Sequence, residues 1–372
     1  MKYPLSTEYQ TSVKYCDRFV LDPILSKGYP QNTKFGLLMY SGGYTRVFPI
    51  TVGTKKYALR CWIAEVHEAE YRYEQLKHYI HNRQLTYFVP FDYIQKGILV
   101  NGNVYPILRM EWAEGNDLKS FIQKNLNNPD ILRRAANTFL KMTKTLHKHK
   151  IAHGDLQHEN IIVQNVQNNL EFILIDYDSL YIPNFASMPD HIVGLPAFQH
   201  PNRIKNAHQA KASEKVDYFS ELVIYVTLLA LSERPDLWDI FKVDTADGLI
   251  FTQLDYENPD KSNAFSLLDH LSHSICVGLK MLKSYCKQPD INQFIPVEQV
   301  IIGHDDCLNK MFKRIDMFSR SIPEKKQHVS IVANQKVDQL IQNIQHYSLP
   351  EKTGSIKPEC GVDQLLKNIQ SA

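Results

Sequence analysis

Residues 151–163 read IAHGDLQHENIIV, and residues 172–180, close behind, read FILIDYDSL. The first stretch places Asp155 and Asn160 on one short loop, four residues between them, just before a β-prone run. The second ends an apolar β-run on Asp176. Taken alone, an Asp and an Asn at that spacing belong to turns and helix caps, because both side chains bond nearby backbone. Their surroundings point elsewhere. A helix-patterned run precedes the loop and a hairpin joins the two stretches. Beyond them lie GLPAFQHP at 194–201 and DYFSELVIYVTLLAL at 217–231, a helix apolar on nearly every side and therefore expected to be buried.

Upstream the pattern is different. FGLLMYS, YTRVFPITV and YALRCWI, with a GTKK turn before the last, read as a β-meander over residues 35–63. A helical stretch at 65–81 follows. Two more β-rich runs come next, FVPFDYI and YPILRMEW, with Asn101-Gly102 marking the turn between them. After Gly115 the chain reads as helices, first DLKSFIQKNL and then ILRRAANTFLKMTKTLHKH. A small sheet unit precedes a large helical one.

Bulk properties exclude several classes. With 372 residues, 44% hydrophobic and 22% charged, the chain is long enough for a full core and has ordinary globular composition. A net charge of +2 without a basic cluster argues against nucleic-acid or membrane partners. The six cysteines are far apart and form no CxxC pair, so neither a zinc site nor a disulfide scaffold is expected. The N-terminus lacks a signal-peptide pattern and the longest apolar run, 222–231, is half a membrane span, so a soluble protein of the reducing cytoplasm is expected.

Over roughly residues 35–320 the order of these features resembles the protein kinase-like superfamily, in the form of a bacterial serine/threonine kinase domain with an HGD catalytic loop. The resemblance implies an α+β, two-lobed fold, with a small antiparallel-sheet N-lobe at 35–113 and a large helical C-lobe at 114–322. Residues 1–34 would be an N-terminal extension and 323–372 a tail. It further implies ATP and Mg2+ as cofactors and a protein hydroxyl as acceptor. Asp155 would be the catalytic residue, reaching the incoming hydroxyl, while Asn160 and Asp176 hold the metal against the phosphates. In the nucleotide site, Gly42 and Gly43 of YSGGYTRVF take the glycine-rich loop, and Ala58 and Arg60 of ALR the following strand. Met110 is the gatekeeper, and the backbone of Glu111 and Ala113 faces the adenine. Glu70 and Glu74 both stand as partners for Arg60. His153 is expected to pack inside and bond backbone near Asp176, and Asp217 to hold the catalytic-loop backbone or cap its helix.

Several positions depart from the family pattern. Arg60 replaces a lysine, and Tyr40 and Thr45 replace two loop glycines. Gly154 replaces an arginine that pairs with a phosphorylated loop, Gln157 a lysine, and Asn202 the glutamate of APE. Two alternatives to an active protein kinase therefore stand: a pseudokinase serving as a nucleotide-binding or interaction module, and a small-molecule kinase sharing the HGD form. In the tail, VDQLIQNI at 337–344 and VDQLLKNI at 362–369 each form one amphipathic stripe. The stripes are expected to dock either on the chain's own large lobe or on a partner protein.

Overall fold

Helices α1 (Ser6–Lys14) and α2 (Cys16–Phe19) open the chain. They are followed by strands β1 (Tyr29–Pro30), β2 (Asn32–Thr33), β3 (Gly36–Leu37), β4 (Tyr40–Ser41), β5 (Thr45–Val52) and β6 (Lys55–Trp62). Helix α3 (Ala69–Asn82) then leads to β7 (Phe91–Val100) and β8 (Asn103–Glu111). The structure is a computed structural model and describes residues 3–65, 68–167, 169–186, 188–190, 194–206 and 211–301. The repeats at 337–344 and 362–369 and the last part of the expected C-lobe lie outside the described residues.

Six strands form one antiparallel sheet in the order β1-β5-β6-β8-β7, with β4 also paired to β5. The middle strand explains why YALRCWI carries apolar residues on both faces. Side chains alternate across a strand. Ala58 and Trp62 enter the main core beneath the sheet, while Leu59 and Cys61 enter a second core on its outer face. That second core is supplied by the N-terminal segment, through Tyr9, Val13, Cys16, Val20 and Leu25. The segment from Tyr9 to Leu25 is thus packed into the small lobe. The Tyr9 hydroxyl donates to the Trp62 carbonyl at 2.8 Å, and Asp22 pairs with Arg109 at 2.6 Å.

Past β9 (Asn116–Asp117), helices α4 (Leu118–Lys124) and α5 (Pro129–Lys148) begin the large lobe, each capped by a side-chain oxygen, from Asp117 and Asn128. β10 (Ile161–Val166) and β11 (Asn169–Leu174) make a hairpin, with β9 alongside β10. The short α6 (Pro201–Lys205) precedes α7 (Tyr218–Glu233), whose residues 218–228 are all buried, as its composition predicts. α8 (Leu237–Ile240), α9 (Gln253–Glu257), α10 (Asn263–Leu268) and α11 (His273–Lys287) pack around it. This is the two-lobed α+β architecture expected from sequence. No helix of the described residues is long and apolar enough to cross a membrane.

His147 of α5 is clamped in this lobe, 2.8 Å from Glu221 of α7 and 3.0 Å from Glu298. Burial opposes its charge, but the carboxylates outweigh burial, Glu221 first, and push His147 up to about 10.

Two outcomes follow from this packing. Tyr9→Ala removes a wholly buried ring and should destabilise the protein by ~3–5 kcal/mol in urea unfolding; a loss under ~1 kcal/mol would mean the N-terminal segment is only loosely attached. The His147 clamp contributes stability that is complete below the unfolded imidazole value of about 6.5 and is lost as pH rises through about 10. His147→Gln should therefore flatten the decline of the unfolding midpoint between about pH 7 and 10.

Candidate active site

The β10–β11 hairpin fixes the site. Asn160 immediately precedes β10 and Asp176 follows β11 by one residue, while Ile161 and Leu174 are register partners, so the hairpin holds both side chains at one end. Asp176 has φ +65°, a left-handed conformation that few non-glycine residues adopt and that gathers at functional sites. The Asn160 amide donates through Nδ2 to the Asp155 carbonyl at 2.8 Å and to Asp155 Oδ2 at 3.2 Å. With the nitrogen so engaged, Oδ1 has no donor among the described residues and is the atom left to face a cation.

Asp217 holds the loop from below. It accepts from the His153 N–H and, at 2.9 Å, from the Gly154 N–H. His153 is buried and its Nε2 lies 2.8 Å from the Ile175 carbonyl, the backbone position beside Asp176. Gly154 has φ +79°, and a Cβ there would lie 2.5 Å from the Ser179 carbonyl oxygen, so the site admits no side chain at that position.

Arg60 crosses from the small lobe to this loop. Its Nη2 is 2.6 Å from both Asp176 Oδ1 and Asp178 Oδ2, and its Nη1 is 3.2 Å from the Tyr73 hydroxyl. Tyr73 in turn donates to Asp178 Oδ1 at 2.5 Å. Neither Glu70 nor Glu74 pairs with Arg60, contrary to expectation. Both are exposed on α3, and Glu70 accepts from Gln95, because the helix turns Tyr73, Leu76 and Ile80 inward instead. Arg72 adds a second tie from α3, donating to the Asp178 and Leu180 carbonyls at 3.1 and 3.0 Å. Asp178, Tyr73 and Arg72 were not legible as site residues. The one available signal was the second carboxylate of IDYDS, two residues after Asp176.

One guanidinium thus faces two carboxylates, Asp178 buried and Asp176 partly open to solvent. Burial opposes ionisation of Asp176, but Arg60 overcomes it and holds that carboxyl below its ordinary value. Burial prevails at Asp178 and raises it. Asp155 is also raised, by burial first, with the Asp176 charge adding to the effect. The site carries more negative than positive charge. Among the described residues no three His, Cys, Asp or Glu side chains converge as a metal cage. One carboxylate and one amide oxygen, from Asp176 and Asn160, are nonetheless the modest share that Mg2+ takes from protein when phosphates and water supply the rest, so these residues fit that ion.

The expected nucleotide residues lie on or beside the sheet that carries Arg60. Ala58 and Met110 are register partners on β6 and β8, both buried. The Glu111 N–H is taken by Pro90 and the Trp112 N–H by Lys56, whereas the Ala113 N–H has no partner among the described residues. Gly42 and Gly43 form the exposed turn between β4 and β5. Its Gly42 carbonyl accepts from Arg46 at 2.8 Å, and Arg46 also donates to Ser6 of α1. The loop is therefore tied to the N-terminal helix.

Residues 47–273 match the protein kinase domain family model, and the chain belongs to that family. Among curated proteins it is similar to the inhibitor of nuclear factor kappa-B kinase subunit beta of Bos taurus, 29% identical over 122 residues. That match covers 32% of this chain and 16% of the relative. It is also similar to calcium-dependent protein kinase 24 of Arabidopsis thaliana, 23% identical over 152 residues, which is 40% of this chain and 25% of the relative. The chain thus matches a quarter or less of the length of either relative. Among solved structures, the Cydia pomonella granulovirus kinase PK-1 is similar at 16% identity and a TM-score of 0.47, covering 76% of this chain and 95% of that one.

The charge count in the Arg60 cluster predicts an order of stabilities. Arg60→Met leaves the buried Asp178 without its cation, beside a partly exposed Asp176, and should cost ~3–5 kcal/mol, whereas Asp178→Asn leaves a one-to-one pair and should cost clearly less. Urea unfolding of the two variants checks this; a larger loss for Asp178→Asn would contradict the count.

Proposed function

We propose that the chain is an ATP- and magnesium-dependent protein kinase that phosphorylates serine or threonine hydroxyls. The observation that carries this reading is the joint placement of Asp155, Asn160 and Asp176, with the backbone beneath them clamped by Asp217. In this reading Asp155 accepts the proton of the acceptor hydroxyl as its oxygen bonds the γ-phosphorus, and the bond to the bridging oxygen of ADP breaks in line. Arg60 supplies fixed positive charge beside the phosphates, while Ala58 and Met110 wall the adenine pocket and the Glu111–Ala113 backbone presents its polar groups. Gly42 and Gly43 cover the phosphates. Magnesium, held by Asn160 and Asp176, would neutralise charge on the phosphoryl oxygens. The chemistry asked of the protein is positioning and electrostatic complementarity.

A second reading is favoured by one observation. Both terminal nitrogens of Arg60 are already bonded inside the protein, and its buried Nε has no partner among the described residues. Such an arginine could serve to fasten the lobes of a non-catalytic interaction module. Thermal-shift titration with Mg-ATP, followed by transfer from γ-radiolabelled ATP to a generic acceptor protein, separates the two. A kinase is stabilised by Mg-ATP and labels the acceptor; a module labels nothing.

Asp155→Asn should keep nucleotide binding nearly intact while lowering kcat by ~10²-fold or more, because this group acts on the hydroxyl and not on ATP. Asp176→Ala should instead abolish the magnesium-dependent part of ATP stabilisation. Equal losses of binding and turnover in Asp155→Asn would assign it a structural role.

A further inference from the structure

The segment after Asp176 returns to the catalytic loop at two points. At the first, the Leu195 N–H donates to Asp155 Oδ1 at 3.2 Å. Gly194 makes this approach possible: its φ is +78°, and a Cβ there would lie 2.5 Å from the same oxygen. At the second, Arg203 of α6 donates through Nη1 to the Gly154 carbonyl at 2.7 Å and to Gln199 Oε1. Its Nη2 pairs with Asp190 at 2.7 Å, and both side chains are buried, at 4% and 8% exposure. The Gly154 N–H is held by Asp217. The two polar groups of the residue preceding Asp155 are therefore fixed by two charged side chains, one on each side.

This arrangement answers a question raised by Gly154. No side chain fits there, so a cation able to tie the segment to the catalytic loop must come from elsewhere in the chain. Arg203 occupies that role, and its planar fork holds a carbonyl on one terminal nitrogen and a carboxylate on the other in a fixed geometry that the single ammonium of a lysine does not offer. Asp190 provides the anion. It is a permanent carboxylate in the segment between Asp176 and the GLPAFQHP stretch.

We infer that the Asp190–Arg203 pair is a built-in latch that fixes the catalytic loop through the Gly154 carbonyl and orients Asp155, so that transfer requires no phosphorylated residue in the segment. Arg203 and Asp190 are positioning residues. The inference rests on the kinase reading for its effect on turnover, but the latch itself is a physical property of the loop and can be read without activity.

The test uses the full chain. Removing one partner alone leaves a buried charge unpaired and can unfold the protein, so the informative variant is the double one, Asp190→Asn with Arg203→Met, which removes both charges. It should keep a cooperative unfolding transition while kcat falls by ~10–10²-fold, KM for ATP changes less than ~3-fold, and the Gly154 and Leu195 amides exchange at least ~10-fold faster. Arg203→Lys should give intermediate kcat. Wild-type protein treated with a phosphatase should keep its kcat. Wild-type kcat and amide protection in the double variant would overturn the latch, as would a loss confined to KM for ATP. A large fall in wild-type kcat after phosphatase treatment would overturn its independence of phosphorylation. If wild-type protein transfers no phosphate at all, the kinase reading fails, and the exchange of Gly154 and Leu195 still decides whether the latch exists.

Discussion

The buried contact of Arg60 with Asp176 and Asp178 is the constraint on which this molecule is arranged. It joins a strand of the small lobe to the loop that carries the expected metal ligand, with Arg60 and Asp178 out of solvent at 4% side-chain exposure and Asp176 open on one side. A guanidinium cannot give up its proton to relieve burial, so it must be paired, and it needs its partners on a rigid loop. Two carboxylates against one cation leave negative charge in excess. That excess is a reason for the site to favour a divalent cation, and it is tolerated because Tyr73 donates to Asp178 while burial raises the same carboxyl.

The consequence reaches α3. A carboxylate on that helix would be redundant beside Asp178, and the helix contributes a neutral hydroxyl from Tyr73 and backbone ties from Arg72. The lower side of the site is equally over-determined. Asp217 holds two successive N–H groups, His153 meets the Ile175 carbonyl, and Asn160 is fixed to Asp155. Asp217, His153 and Asn160 are each buried and make at least one hydrogen bond, which rigidifies the loop, although Nδ1 of His153 has no partner among the described residues.

The sequence made the catalytic loop legible because its information is local. Asp155, Asn160 and Asp176 are brought together by one hairpin, and spacing along a hairpin is spacing in space. Asp217 was legible for a related reason, since it opens an unusually apolar helix. The partner of Arg60 was not legible, because Asp178 is 118 residues away and pairing over that distance depends on how two lobes meet. The Glu70 and Glu74 expectation failed on helix phase: the buried face runs through Tyr73, Leu76 and Ile80. The structural part of residues 1–34 was hidden by the polar composition of α1, STEYQTSVK, whose buried residues are Tyr9, Ser12 and Val13. One clue was present. A strand apolar on both faces, YALRCWI, needs cover on both, and residues 35–113 supply it on one.

On the kinase reading proposed above, Arg60 belongs to the working site as an arginine. The most direct test is the rate of phosphate transfer by Arg60→Lys compared with wild type, at saturating Mg-ATP and with unfolding midpoints measured in parallel. A lysine offers one compact ammonium where two carboxylates and a hydroxyl are now met by a fork, so kcat/KM should fall by ~10-fold or more in a folded protein. Transfer that instead rises in Arg60→Lys would show that the arginine impairs a site built for lysine, and would contradict the account.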